Sequence, residues 1–249
     1  MAQDQPHARK VLIAISQAQH DSLTALELAK IVNQPGIEFL VLDGASSFAS
    51  AIADSIRDQY ALEPGAMLIQ NPYDTSAYFR EEEAVAQVAL QKTLRVAQVC
   101  HLLGSTSLTV KQISSATDER QKNRGASAGA KGIIGRLSGD SKAVREVKQL
   151  IALRDTCSGG EPDIQKAEEY LLSQRLSNDT MLTNLVEARA VTNNTLKSRT
   201  LTIDATKEAR SSLDIAAKVS AAVVDDVGGK GGKSAREFEQ VNVEYEVVF

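Results

Sequence analysis

The chain has no tryptophan, and aromatic residues make up only 4% of its 249 positions. Deep ligand pockets usually have aromatic walls, and small tight interfaces usually have aromatic anchors. This composition therefore favours extended contacts built from many small side chains. Cysteine is also scarce. Cys100 and Cys157 show no metal-type spacing, which points to a reducing, cytoplasmic setting rather than a disulfide framework. His7, His20 and His101 are too scattered to supply, with those cysteines, the three or four converging ligands of a metal site. No metal and no cofactor are expected. A run of about 18 apolar residues is absent, which excludes a spanning helix, and Val11–Ile15 is too short for a signal-peptide core. Neither charge sign dominates: 28 Lys and Arg stand against 32 Asp and Glu, for a formal net charge of -4. That balance disfavours non-specific binding to nucleic acid.

Helix breakers are missing from a long stretch. No Gly or Pro occurs between Asp163 and Val227, and Pro162 stands at its edge. A continuous helix there would be a rod of about 90 Å. The apolar positions follow no strict heptad. Asn178-Asp179 and Asn193-Asn194 are local stop signals, and Thr200–Asp204 alternates like a strand. A helical hairpin therefore competes closely with a single rod.

What is present before Pro72 reads as strand-helix-strand-helix-strand: Val11–Ile15, a helix after Asp21, Ile37–Leu42, a helix carrying Phe48, Ile52 and Ile56, and Ala66–Ile69. Glu81–Leu103 has one broad apolar side and acidic residues in its first turn, with Gly104 placed where a positive φ ends a helix. Ser107–Ile113 reads as a strand and Ser141–Leu153 as a helix. At the C-terminal end, Val241–Phe249 alternates strictly between apolar and polar residues, as a strand with one buried and one solvated face does.

The expected fold is α+β or α/β. It has a disordered tail at 1–8, an α/β unit at 9–157 with a glycine-rich loop at 125–135, an extended helical segment at 163–227, and a hinge plus a sheet-joining strand at 228–249.

No motif carries chemistry. The cluster Gly228-Gly229-Lys230-Gly231-Gly232-Lys233-Ser234 puts Val227 where a phosphate loop requires Gly, and it does not open a helix. Ser16-Gln17-Ala18-Gln19-His20 follows the first strand without a glycine, so a dinucleotide pyrophosphate has no close approach; Ser16 sits where hydroxyls often hold small anions, but a solvated loop with a helix cap is the expected reading. Cys100 and His101 are neighbours on a helix and point about 100° apart, so they form no dyad. His20, Asp43 and Asp74 lie near turns but have no identifiable catalytic partner. No catalytic residue is expected.

These observations lead to a non-enzymatic, self-associating structural or interaction protein. It is expected to form a homo-oligomer through the long helical segment, coiled-coil fashion, and through the C-terminal strand, with a further protein partner open. The alternatives are a small-ligand or nucleotide-responsive α/β protein, which could be an enzyme, and a pore-forming or membrane-surface protein. The membrane reading is disfavoured by the lack of aromatic anchors and of a basic amphipathic face.

Overall fold

A computed structural model describes residues 11–22, 36–43, 54, 56–58, 60–115, 142–151, 154–191, 196–216 and 240–249. The expected tail at 1–8, the loop at 125–135, the glycine-lysine hinge, most of the two helices expected before Ile56, and Asn193-Asn194 lie outside these residues.

The fold is α+β, with two four-stranded sheets. The described residues divide into two compact units. One comprises residues up to Ala84 together with residues from Glu208 to 216. The other runs from Val85 to Lys207 and takes in the C-terminal strand.

In the first unit, β1 (Val11–Ile15) is buried on both faces, as its unbroken apolar run requires. It lies parallel to β2 (Ile37–Val41) and antiparallel to β3 (Met67–Gln70), and β3 pairs antiparallel with β4 (Tyr78–Arg80). The sheet is therefore mixed rather than the all-parallel arrangement that alternating strands and helices suggest. Leu12, Leu40, Ile56, Leu68 and Tyr78 form a core cluster in this unit. A short helix, α1 (Gln17–Ser22), follows β1.

The second unit is built on α2, which spans Glu81–Leu102 and crosses the unit boundary at Ala84. Its sheet has the order β6-β5-β8-β7 and is antiparallel throughout: β6 is Arg154–Thr156, β5 is Ser107–Ser115, β8 is Val241–Val248 and β7 is Ser198–Asp204. Along β8, Val241, Val243, Tyr245 and Val247 are fully buried while the residues between them are not. α2 buries Val88, Lys92, Thr93, Val96, Val99 and Cys100, a stripe at helical spacing, and Thr93 meets Tyr245 of β8. A further helix, α3 (Lys142–Leu150), follows β5 in the chain.

The expected helical segment at 163–227 is not a rod. It breaks into α4 (Ile164–Ser173), α5 (Thr180–Ala190), strand β7, a 3₁₀ turn at Lys207–Ala209 and a helix at 210–216. Asp163 and Asp179 start the two helices by accepting backbone N–H groups on their carboxylates. The alternating run Thr200–Asp204 becomes a strand because Leu201 and Ile203 fill the sheet core with no exposed surface to speak of. Freedom from Gly and Pro allowed a helix there without requiring one.

β8 lies between β5 and β7, so both of its edges are occupied. The C-terminal strand does join a sheet, but it has no edge left for a second chain. Among the described residues, no helix is long and apolar enough to cross a membrane.

Candidate functional site

The second unit holds three arrangements of polar groups that need a reason. The first is internal. Lys92 has no exposed side-chain surface, and its ammonium donates to Asp179 Oδ2 at 2.7 Å and to the Asp204 carbonyl at 2.8 Å. Asp179 also caps α5 with Oδ1, accepting from Met181 N–H at 3.1 Å and Leu182 N–H at 3.4 Å. Beside this pair, the hydroxyls of Thr93 and Tyr245 are 2.7 Å apart. Burial pushes the Tyr245 phenol well above its ordinary value, so it stays neutral. The network ties α2, the start of α5 and the end of β7 together. Its role is structural.

The second arrangement is the outer edge of β7. Two hydrogen bonds fix the phase of the β7–β8 ladder: Ala205 N–H to the Val241 carbonyl, and Phe249 N–H to the Lys197 carbonyl, each 2.8 Å. Odd-numbered residues of β7 therefore direct their backbone groups at β8, and even-numbered ones direct them outward. Asp204 ends this outward row, and its carbonyl is taken by Lys92. Ser198, Thr200 and Thr202 are exposed, and their outward N–H and C=O groups meet no backbone partner among the described residues.

The third is a cavity of about 470 Å³ walled by Gly104, Thr106, Gly160, Arg189, Lys197 and Phe249 among others. Gly104 has φ +76°, and a Cβ there would sit 2.2 Å from the Gly160 carbonyl oxygen. Two backbone segments meet closely at that point, and only glycine permits it. The Arg189 guanidinium stacks on the Phe249 ring at 4.3 Å and donates to the Leu103 carbonyl at 3.2 Å and the Leu196 carbonyl at 3.3 Å. Cys157, which precedes the cavity-lining Ser158 in the chain, has its Sγ 3.1 Å from His101 Nδ1.

The residues singled out in the sequence fall as follows. Ser16 caps α1: its hydroxyl accepts from Gln19 N–H at 3.1 Å, and Gln19 Oε1 accepts from Ser16 N–H at 3.0 Å, a reciprocal capping box. Asp43 accepts from Gln17 N–H at the same helix end. His20 contacts its neighbour Asp21 at 3.6 Å. Asp74 closes a turn by accepting from Ser76 N–H and its hydroxyl. These are helix-capping, chain-neighbour and turn contacts. Cys100 is buried and its thiol is pushed up to about 12 by that burial, while its neighbour His101 points elsewhere, as their spacing on one helix requires. His101 instead meets Cys157, 56 positions away, a pairing with no local signal in the sequence. His7 and both glycine-lysine clusters lie outside the described residues. Among the described residues, no three His, Cys, Asp or Glu side chains are grouped for a metal ion.

No family model matches the chain, and neither a curated protein nor a solved structure matches it.

Proposed function

We propose that this chain is a non-enzymatic interaction protein that self-associates by pairing the outer edge of β7 with β7 of a second copy, in a cytoplasmic setting that keeps Cys100 and Cys157 free. The observation that carries the reading is the row of outward backbone groups on Ser198, Thr200 and Thr202. Exposed strand edges are templates for another strand, and natural sheets blunt them with Pro, Lys or bulges. Ser198–Asp204 contains no Pro and no Lys, and its register against β8 runs without a shift.

The edge also suits itself. In an antiparallel pair centred on Leu201, Thr200 of one copy faces Thr202 of the other, both in the outward-bonding phase. Arg199 faces Ile203, so no like charges meet, and the pairing stops short of Asp204, whose carbonyl stays with Lys92. Thr-Thr pairs across strands each contribute about 0.2–1 kcal/mol. This reading moves the association surface from a helical rod to a strand.

The test is the mass of the full chain by size-exclusion light scattering across a concentration series. A rise from 26.7 kDa toward twice that value is expected. Thr200→Pro removes one outward N–H and leaves the β8 ladder intact, so it should hold the chain monomeric. A wild-type monomer at every concentration, or a Thr200→Pro chain that dimerises normally, would sink the reading.

The small-ligand alternative retains one observation in its favour, the cavity beside Gly104 and Phe249.

A further inference from the structure

The Cys157–His101 pair stands apart from the β7 edge and from the buried network around Lys92. Its two members come from distant parts of the chain and are each fixed by the backbone. Cys157 follows β6, and its N–H donates to the Thr106 carbonyl at 2.8 Å; His101 closes α2, and its carbonyl accepts from Gly104 N–H at 2.9 Å. Thr106 and Gly104 are themselves cavity walls. The chain continues from Cys157 directly into Ser158-Gly159-Gly160, which line the same cavity. At 3.1 Å, the thiol and the imidazole nitrogen are within hydrogen-bond reach, and neither side chain is buried. Cys100 offers the contrast within the same molecule: fully buried and held protonated by that burial.

We propose that Cys157 is a nucleophilic thiol served by His101 as its base, and that the cavity lined by the residues following it, Ser158-Gly159-Gly160, admits a small anionic carbon electrophile. In the tautomer that carries its proton on Nε2, His101 accepts the Cys157 proton on Nδ1. The sulfur lone pair forms a bond to the electrophilic carbon, and the bond from that carbon to its leaving group breaks, the electron pair departing with the group. Nothing is oxidised or reduced, and the product is a thioether or thioester on Cys157. The charge preference comes from Lys197 and Arg189 on the cavity wall. Arg189 is engaged with two carbonyls and the Phe249 ring, whereas Lys197 is exposed. This chemistry is independent of β7 pairing, since Thr200→Pro leaves every residue of the pair in place.

The experiment is site-resolved alkylation of the full chain near neutral pH, with iodoacetamide as the neutral probe and iodoacetate as the anionic one, read by peptide mass spectrometry. Cys157 should label at least about tenfold faster in wild type than in His101→Ala, a modest share of what a positioned base supplies. His101→Gln can hold a hydrogen bond but cannot take a proton, so it should label as slowly as His101→Ala. The ratio of iodoacetate to iodoacetamide rates should be higher at Cys157 than for free glutathione, and should drop in Lys197→Gln. Equal Cys157 rates in wild type and His101→Gln would overturn the role of His101. A probe ratio equal to that of glutathione would overturn the anionic preference.

Discussion

The Lys92 ammonium lies 2.7 Å from the Asp179 carboxylate in the core of the second unit, where Lys92 has no exposed side-chain surface. Removing one member of such a pair leaves a buried charge without compensation, which costs about 3–5 kcal/mol. Asp179→Ala should reach that range, because it strands Lys92 and also removes the cap of α5. Lys92→Met should cost less, since Asp179 keeps its two amide donors. The double variant Lys92→Met/Asp179→Ala should be less destabilised than the sum of its parts. Urea midpoints of the three variants check this; strict additivity would mean the charges do not interact.

Next to that pair, Tyr245→Phe deletes the partner of the buried Thr93 hydroxyl. A loss of about 1–2 kcal/mol is expected, the net value of one buried hydrogen bond plus the cost of an unsatisfied hydroxyl. Thr93→Val combined with Tyr245→Phe should recover part of it, because both polar atoms are then gone. A double variant no better than Tyr245→Phe alone would contradict this.

Stability should decline on the alkaline side. Burial pushes the Cys100 thiol from 9.0 to about 12 in the folded chain. The folded state then binds more protons than the unfolded state above pH 9, so this contribution is complete below pH 9 and is lost as pH rises toward 12. It amounts to roughly 4 kcal/mol over the whole interval. Tyr245, raised above its ordinary 10.0 by burial, steepens the decline beyond pH 10. Cys100→Ala should lower stability at pH 7 through lost packing yet flatten the fall between pH 9 and 10. Urea unfolding across that range reads both effects, and an unchanged slope would remove Cys100 as its cause.

Gly104→Ala should destabilise the second unit by more than the about 1–3 kcal/mol typical of backbone strain, since the added Cβ also meets the Gly160 carbonyl oxygen at 2.2 Å. Gly65 has a similar φ of +92° but open space around it, so Gly65→Ala carries the strain alone. The difference in thermal midpoint between the two variants isolates the close contact; equal losses would show that the neighbouring backbone yields.

Much of the fold was legible where burial and periodicity agree. β1, α2 and β8 fall within a residue of their expected spans, and Gly104 has the positive φ expected after α2. β4 and β6 were not legible because three residues carry no period. β7 was visible as alternation at Thr200–Asp204, but a stretch free of Gly and Pro weighed too heavily toward helix. Propensity is a weak prior, and two apolar side chains entering a sheet core overrode it. The Asp179 cap was foreshadowed by the Asn178-Asp179 stop. The Cys157–His101 pair was not readable at all, because long-range pairing of two surface residues leaves no local pattern.

Self-pairing through β7 is tested most directly by backbone amide exchange of Ser198, Thr200 and Thr202 at low and high protein concentration. If a second copy pairs with this edge, Thr200 and Thr202 gain protection as concentration rises, while Leu201 and Ile203, already directed at β8, stay protected throughout. Rapid exchange of Thr200 and Thr202 at every concentration would contradict it.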